Sequence, residues 1–319
     1  MKVAIVGTGG VAERHLGALR RCEDVEVVAH VSGALERAER QASRWGGRAY
    51  TELQRVIDRE AVEAAWVCLA PDRHGPAEEM LIAAGLPFFV EKPLGVDTVV
   101  PRRIEALLAR SRVAAAVGYK YRALDTLGVV RGVLAERPPR MVIGAWHDVT
   151  PAPEWWRDEA RSGGQFVEQA THLVDLARLF VGEGEVVGAI ARSRPRAGYP
   201  KWDAADVTAA LLRFGDGVPG SFTATCVLDR RDAIHLRVVC EGVVVTIAEA
   251  RILVDDGREG REIATGADPF VVEDAAFLRA IRERDEQHIL STYADALRTH
   301  ELCLAVREAA ASRVILDPA

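Results

Sequence analysis

Lysine is scarce in this chain of 319 residues. Only four of its 41 lysine and arginine side chains are lysines, and these are Lys2, Lys92, Lys120 and Lys201. Arginine keeps its proton at any accessible pH, whereas a lysine can lose its proton, especially when burial lowers its pKa. A lysine at a buried strand end is therefore a candidate for proton transfer.

The sequence also lacks the marks of several protein classes. No apolar run approaches the roughly 20 residues needed to span a bilayer, and a net charge of −6 gives no basic footprint for nucleic acid. The five cysteines form no C-x-x-C pair, which favours a reduced compartment without a cysteine metal site. The opening "MKVAIVG" begins a strand at once and leaves no room for a signal peptide. We therefore expect a cytoplasmic protein that binds neither nucleic acid nor a membrane.

Two domains are expected from the change of pattern along the chain. Through residue 121, apolar runs such as "KVAIVG", "VEVVAHV" and "AAWVCLA" alternate with helical patterns. This alternation predicts an α/β fold with an N-terminal Rossmann domain, a doubly wound parallel sheet, over residues 1–121. Over residues 122–319 strand-like runs follow one another directly, which predicts an α/β domain with an open, mostly antiparallel sheet. We assign this second domain to substrate binding and oligomerisation, with its last helix free to pack back on the first domain.

The nucleotide signal is the stretch "VGTGGVA". Gly7, Gly9 and Ala12 lie between the first strand and the first helix, in the G-x-G-x-x-A pattern. Gly7 permits the tight turn, Gly9 lets the backbone approach a pyrophosphate, and the helix N-terminus receives its charge. With Thr8, Gly10 and Val11, this turn is the predicted phosphate site of NAD or NADP. The alternative is a tight turn without a ligand.

The end of the second strand is expected to contact the ribose. NAD enzymes usually place an acid there, but this chain has Ser32 and Gly33, with Arg37 one turn into the next helix. Because no carboxylate repels a 2′-phosphate, NADP, or the use of both NADP and NAD, is favoured. Alternatively, Ser32 only caps the helix and Arg37 is a solvated surface charge.

The chemistry signal is "PFFVEKPLG", in which Lys92 follows an apolar strand. Ligands of doubly wound sheets bind at the carboxyl edge where this strand ends. When a hydroxyl is oxidised, its proton leaves as hydride departs, and Lys92 is suited to carry that proton or to hold the oxygen.

A second signal lies in "GGQFVEQATHLVD". Glu168, His172 and Asp175 are spaced by four and three residues, so they share one helix face. His172 suits a general base, and Glu168 suits either orienting His172 or binding substrate hydroxyls. Asp175 is interpreted as either functional or structural. No second ligand cluster is visible, so we predict no metal.

These motifs together resemble the Gfo/Idh/MocA family, the glucose–fructose oxidoreductase and inositol dehydrogenase group. The resemblance runs through the glycine turn, "APDRHGPAEEMLIAAGLPFFVEKPLG", "VGYKYR" and "GGQFVEQATHLVD". It implies hydride transfer between a nicotinamide and a hydroxyl of a sugar or cyclitol, with Lys92 and His172 as catalytic residues. Position 168 is usually Asp in the inositol dehydrogenase branch, and here it is Glu168. Relatives are often dimers or tetramers, so the resemblance also implies a homodimer or homotetramer.

The resemblance extends to binding residues. Ala70, Pro71 and His74 match the loop that flanks the nicotinamide, although His74 alternatively caps the next helix, and Glu91 is grouped with Lys92 at the cofactor. Lys120 replaces the family's Asn, Gln or His and is interpreted as a substrate contact or a surface lysine. Trp155 and Arg157 match the substrate wall, with interior packing as the alternative.

Two other functions stay open at this point. The same fold also serves non-sugar substrates, in dihydrodiol and biliverdin-reductase types. A catalytically silent nucleotide-binding regulator is the alternative from another class, and it would be expected to lack Lys92 and His172.

Overall fold

The computed structural model describes residues 1–199 and 201–312. By compactness the chain divides into two units, which we call unit 1 and unit 2. Unit 1 comprises Met1–Ala123 and Asp268–Leu297, and unit 2 comprises Leu124–Ala267 together with residues 298–312. This division differs from the linear one at residues 121 and 122 in two respects, since the first stretch ends at Ala123 and Asp268–Leu297 belong with the N-terminal residues.

Unit 1 contains a six-stranded sheet in which every neighbouring pair is parallel. Its strands are β1 (Lys2–Val6), β2 (Glu26–Val31), β3 (Arg48–Tyr50), β4 (Ala64–Val67), β5 (Phe88–Val90) and β6 (Ala115–Val117). The order β3-β2-β1-β4-β5-β6 is that of a doubly wound dinucleotide fold, which confirms the predicted Rossmann sheet.

The helices of unit 1 cover both faces of this sheet through two apolar clusters. They are α1 (Gly10–Leu19), α2 (Leu35–Trp45), α3 (Leu53–Arg59), α4 (Pro76–Ala83) and α5 (Val99–Leu108), followed much later in the chain by α9 (Pro269–Glu283). Phe277 and Leu278 of α9 join the same buried cluster as Val3 and Ile5 of β1. This packing explains why a late helix belongs to the first unit.

Unit 2 is built on an eight-stranded sheet. Its strands are β7 (Pro139–Val149), β8 (Gly184–Arg192), β9 (Val207–Phe214), β10 (Val218–Leu228), β11 (Ala233–Cys240), β12 (Val243–Ile247), β13 (Arg251–Asp255) and β14 (Gly260–Ala264). The order is β14-β13-β12-β11-β7-β10-β9-β8, and all neighbours are antiparallel except β7 and β10. The predicted mostly antiparallel second sheet is therefore confirmed.

Three helices precede or follow β7 in unit 2, namely α6 (Leu127–Glu136), α7 (Glu159–Ser162) and α8 (Thr171–Val181). The last helix, α10 (Tyr293–Ala311), begins in unit 1 and continues in unit 2. Of the helices within the described residues, none is both long enough and apolar enough to cross a membrane.

Candidate active site

The glycine turn after β1 has the shape that a pyrophosphate requires. Gly7 has a φ of 115°, and a Cβ there would lie 2.1 Å from the carbonyl oxygen of Cys68, so a side chain is excluded twice over. Gly9 precedes α1 without a side-chain cap, and a Cβ on Gly9 or Gly10 would meet no atom within 4 Å. The first N–H groups of α1 are thus open to an anion at the positive end of the helix dipole. The turn fits the phosphates of NAD or NADP.

The end of β2 carries a serine at the position where NAD enzymes usually carry an acid. Ser32 is buried, and its Oγ accepts hydrogen bonds from Thr8 Oγ1 at 3.2 Å and from the Ala34 N–H at 3.4 Å. These bonds tie the loop before α2 to the glycine turn. Arg37 lies in the first turn of α2, exposed, and makes no ion pair within residues 1–199 and 201–312. Glu36 occupies the same turn, so this end of α2 carries one charge of each sign.

Lys92 directly follows β5 and is half-buried. Since β4 lies between β1 and β5 in a parallel sheet, Lys92 and the glycine turn lie at the same carboxyl edge. The peptide bond between Lys92 and Pro93 is cis. Unit 1 therefore brings the predicted nucleotide turn and the predicted proton carrier to one side of one sheet.

The loop after β4 reaches this edge as well. Ala70 is half-buried, and Pro71 is buried at the start of a short 3-10 helix. His74 is buried, and its Nδ1 lies 2.6 Å from Glu78 Oε1, while its Nε2 has no hydrogen-bond partner in the described chain. Glu78 also accepts from the Gly75 N–H at 2.8 Å, so Glu78 rather than His74 satisfies the start of α4. The free Nε2 of His74 fits a role beside the nicotinamide.

Buried polar groups around Glu91 form a network that we call the His15 network. Nδ1 of His15 lies 2.8 Å from Asp274 Oδ1, and Nε2 of the same ring lies 3.1 Å from Glu91 Oε1. Trp66 Nε1 donates to the same oxygen of Asp274 at 2.8 Å. Glu273 lies beside them, and its Oε1 has no hydrogen-bond partner among the described residues. The side chain of Glu91 is thus held inside unit 1, next in the chain to Lys92.

The charges in this network alter one another's proton affinity. Burial alone lowers the pKa of His15, but the charge of Asp274 and hydrogen bonds to Asp274 and Glu91 outweigh it, so the pKa is raised well above 6.5. Burial raises the pKa of Asp274 and raises that of Glu273 more strongly. The raised pKa of His15 favours the ring form in which both nitrogens carry a proton, and both nitrogens face carboxylate oxygens.

Metal-ligating residue types also meet at this network. One ligand atom each from His15, Glu91 and Glu273 lies within 4.8 Å of the others. A metal requires an imidazole nitrogen without its proton, whereas both nitrogens of His15 face carboxylate oxygens. The geometry favours shared protons, and the predicted absence of a metal stays a prediction.

Lys120 starts a 3-10 helix after β6 and is half-buried. Its Nζ lies 5.5 Å from the ring centroid of Tyr121 and 5.6 Å from that of Phe270. Its charge acts on Glu273, where it opposes the effect of burial on the pKa. Lys120 thus has intramolecular partners in unit 1, and its predicted substrate contact stays a prediction.

In unit 2 the predicted helix begins with an irregular turn. Residues Phe166–Ala170 form a π-helical turn that runs directly into α8. The two glycines before it, Gly163 and Gly164, have φ values of 76° and 87°, which explains the sharp entry. His172, in the first turn of α8, is buried and stacks on Trp146 with ring centroids 5.8 Å apart. The ring plane of His172 is therefore fixed by a neighbour from β7.

Glu168 is oriented by a tryptophan. It is half-buried, and its Oε2 accepts a hydrogen bond from Trp156 Nε1 at 2.8 Å. Trp156 is buried, whereas Trp155 is half-buried. Arg157 places its guanidinium 4.7 Å from the ring centroid of Tyr199. The predicted substrate wall is therefore connected to the helix that carries His172.

Asp175 belongs to a separate network. It is fully buried and accepts a hydrogen bond from Thr299 Oγ1 at 3.0 Å, and Arg178 donates to the same hydroxyl at 2.6 Å. Arg178 also pairs with Glu183 at 2.8 Å. These contacts tie α8 to α10, and they favour the structural interpretation of Asp175.

Sequence reasoning missed the His15 network. His15 and Asp274 are 259 positions apart in the chain, so no local pattern links them. A usable signal exists in hindsight, because His15 and Asp274 are polar residues at buried positions of helices whose other inward residues are apolar. Such positions are rare unless the polar groups find partners.

The family comparisons cover most of the chain. The family described as "Oxidoreductase family, NAD-binding Rossmann fold" matches residues 1–119, and the "GFO/IDH/MocA C-terminal domain" matches residues 138–245. Inositol 2-dehydrogenase of Streptomyces avermitilis is 27% identical over 293 residues, which cover 88% of this chain and 82% of that protein. The rhizopine catabolism protein MocA of Rhizobium meliloti is 24% identical and covers 69% of each chain.

Solved structures share the fold over nearly the full length. KijD10, a 3-ketoreductase from Actinomadura kijaniata in complex with NADP and TDP-benzene, superposes with a TM-score of 0.84 at 22% identity, covering 97% of each chain. The UDP-N-acetylglucosamine 3-dehydrogenase GnnA from Acidithiobacillus ferrooxidans gives a TM-score of 0.84 at 18% identity, covering 98% of each chain.

Proposed function

The chain belongs to the Gfo/Idh/MocA oxidoreductase family, with its NAD-binding Rossmann fold, and on that premise we propose that it moves hydride between a nicotinamide and a carbohydrate-like substrate. The reacting group is a hydroxyl or carbonyl of a sugar, sugar derivative or cyclitol. The observation that carries the proposal is the position of Lys92 at the same sheet edge as the open glycine turn. Relatives named for inositol and structural neighbours named for sugar derivatives support the substrate class.

When bound at this edge, NADP would supply the hydride acceptor or donor, and residues of the protein would transfer the proton. In the oxidative direction a bound nicotinamide would accept the hydride from the substrate C–H bond, and the O–H bond would give its proton to a base of the protein. We propose that Lys92 takes that proton or holds the oxygen, and that His172 also takes part in proton transfer. His172 suits a base because its ring plane is fixed against Trp146. Glu168, held by Trp156, binds substrate hydroxyls.

Lys92→Ala and Lys92→Arg test the role of the lysine. Both variants are expected to lower kcat by about 10²- to 10⁴-fold, because alanine has no group and arginine keeps its proton. NADPH affinity, measured by fluorescence titration, stays near the wild-type value. Lys2→Ala, which removes an exposed lysine of β1, is the control and keeps full activity. A near-normal kcat in Lys92→Arg contradicts proton transfer by Lys92.

For the cofactor we propose NADP over NAD. The support is the absence of an acid at Ser32 and Gly33 together with the exposed, unpaired Arg37 within the described residues. Arg37→Gln is then expected to weaken NADPH binding about tenfold, the value of a lost charged hydrogen bond, with no change for NADH. The matched control is Glu36→Gln in the same helical turn, which removes a charge that opposes the phosphate. Tighter binding of NADH than of NADPH by the wild-type protein contradicts the proposed preference for NADP.

We also propose a homo-oligomer that pairs through the outer face of the second sheet. Large apolar side chains are exposed there, Ile190 by 62% and Leu211 by 58%, and they line one groove with Val187 and Ala209. Such a patch suits a second copy of the same surface. A cytoplasmic location is proposed as well, supported by the fact that all five cysteines are free thiols.

A further inference from the structure

Two loops of unit 2 build a group of aromatic and arginine side chains that we call the Arg–aromatic cluster. It consists of Trp156 and Arg157 after β7 together with Arg196, Tyr199 and Trp202 between β8 and β9. Ring centroids of Trp156 and Trp202 lie 5.7 Å apart, and those of Tyr199 and Trp202 lie 5.8 Å apart. The three rings therefore form a continuous aromatic group.

Both arginines of the cluster converge on one ring. The guanidinium carbons of Arg157 and Arg196 each lie 4.7 Å from the ring centroid of Tyr199, so they are separated by at most twice that distance. Arg196 also lies 5.2 Å from the ring of Trp202. Two positive charges this close repel each other, and aromatic rings offset only part of that cost.

The partners that hold these arginines are neutral. Nη1 of Arg196 donates to Thr150 Oγ1 at 2.8 Å, and Thr150 in turn donates to the carbonyl oxygen of Cys226 at 2.8 Å. Nε of Arg157 is buried and has no acceptor within residues 1–199 and 201–312. Over the same residues neither arginine forms an ion pair. Buried or half-buried guanidinium groups usually form an ion pair with an acid. Within the described residues, Arg157 and Arg196 depart from this rule.

The carboxylates in the same two loops are bound elsewhere. Asp203 Oδ1 accepts from the Glu159 N–H at 2.8 Å, and Asp206 Oδ2 accepts from the Arg194 N–H at 3.4 Å. Glu168 is held by the indole of Trp156. Within the described residues none of these three acids forms an ion pair with Arg157 or Arg196.

The cluster is joined to the predicted catalytic helix inside unit 2. Trp156 contributes a ring to the cluster and the hydrogen bond that fixes Glu168, four residues before His172. Guanidinium groups with free donors recognise planar or tetrahedral oxyanions, and the adjacent rings suit a sugar or base face. We propose that the Arg–aromatic cluster binds an oxyanion, a phosphoryl or carboxylate group, carried by the substrate of the proposed hydride transfer. The inference rests on that proposed function and narrows its substrates to acidic, phosphorylated or nucleotide-linked sugars.

Titration of the NADP⁺-saturated protein tests the cluster, since bound NADP⁺ blocks the phosphate turn of unit 1. The probes are UDP, glucose 6-phosphate, glucuronate and, as the neutral reference, glucose, followed by tryptophan fluorescence and calorimetry. At least one anionic probe is expected to bind at least tenfold tighter than glucose. Arg157→Gln and Arg196→Gln weaken that binding about tenfold or more each, and Arg157→Lys weakens it less. UDP, glucose 6-phosphate and glucuronate separate diphosphate, monophosphate and carboxylate as the source of the oxyanion.

The control is Arg194→Gln, an exposed arginine of the same loop whose side chain is outside the cluster. It leaves anion binding unchanged, and matching thermal unfolding curves show that all the variants fold. Equal binding of glucose and the anions, no binding of any anion, or equal losses in Arg194→Gln and Arg157→Gln overturn the proposal. Lys92→Ala separates the proposed oxyanion binding from the proposed hydride transfer. It is expected to keep anion binding, and this result can be obtained even if the protein proves to transfer no hydride.

Discussion

Replacing Asp274 removes the oxygen on which the His15 network depends. Its Oδ1 accepts a hydrogen bond from Trp66 Nε1 and faces Nδ1 of His15, and each of these two nitrogens lies 2.8 Å from the oxygen. In Asp274→Ala two buried donors lose their acceptor, and each such loss costs about 1–3 kcal/mol. The pair with a protonated His15 is also broken, so we expect a loss of unfolding free energy of about 3–5 kcal/mol, the range measured when one partner of a buried ion pair is removed.

Asp274→Asn separates the hydrogen bonds from the charge. The amide oxygen still accepts from Trp66, so we expect a smaller loss of about 1–3 kcal/mol, most of it from the weakened His15 contact. Glu185→Ala is the control, since it removes an exposed ion pair with Arg213, which is worth about 0–1 kcal/mol. Urea unfolding, followed by tryptophan fluorescence and fitted with a common slope, gives all three values.

The pH dependence of the unfolding free energy tests the contribution of the charges on His15 and Asp274. The folded-state pKa of His15 is raised above 6.5, so its stabilising contribution is complete below that value and is lost as the pH rises through the folded-state pKa. The raised pKa of Asp274 acts in the same direction, because the folded protein holds a proton that the unfolded chain releases. The stability gap between wild type and Asp274→Asn should therefore be largest in acid, below about pH 6, and shrink at alkaline pH. A gap that is independent of pH, or an Asp274→Ala loss no larger than that of Glu185→Ala, refutes the buried ion pair.

Three further outcomes are expected from single sites. Gly9→Val should abolish NADPH binding without unfolding the protein, because its side chain enters open space at the N-terminus of α1, and circular dichroism provides the folding control. Trp156→Phe should lower kcat/KM by about tenfold or more while NADPH affinity stays constant, because Glu168 loses the hydrogen bond that orients it. Ile190→Asp with Leu211→Asp should shift the protein to monomers in analytical ultracentrifugation, because charged groups oppose pairing of the apolar sheet face.

Local patterns predicted the sheets well, because each strand carries its own signal. β9 alternates exposed and buried residues along its whole length, as a strand with one covered face requires. β14 was missed, since four of its five residues are exposed and no apolar pattern marks it. The parallel pairing of β7 with β10 was equally invisible, because strand order depends on contacts between distant residues.

The residues of the candidate site also differ in whether a local sequence pattern reveals them. The glycine turn, Lys92 and His172 were found because their motifs are short and continuous. The His15–Asp274 pair was missed because its members come from helices at opposite ends of the sequence. The contacts of Arg196 and Tyr199 were missed for a related reason, since loop residues show no periodicity and meet only in the folded unit.

Lys120 shows how the two kinds of information combine. Sequence alone identified it as a scarce lysine at a position where the family has neutral or titratable residues, and suggested a substrate contact. In the folded unit its charge acts on Glu273, a buried acid whose pKa burial raises strongly. Removing the charge in Lys120→Gln should therefore raise the pKa of Glu273 further, and with it the number of protons that unit 1 takes up on folding. Lys120→Met, which removes both charge and polarity, should produce the same shift, whereas a substrate contact would make the two variants differ in KM but not in proton uptake. The charge of Lys120 favours the ionised form of Glu273, and a neutral side chain at position 120 would not.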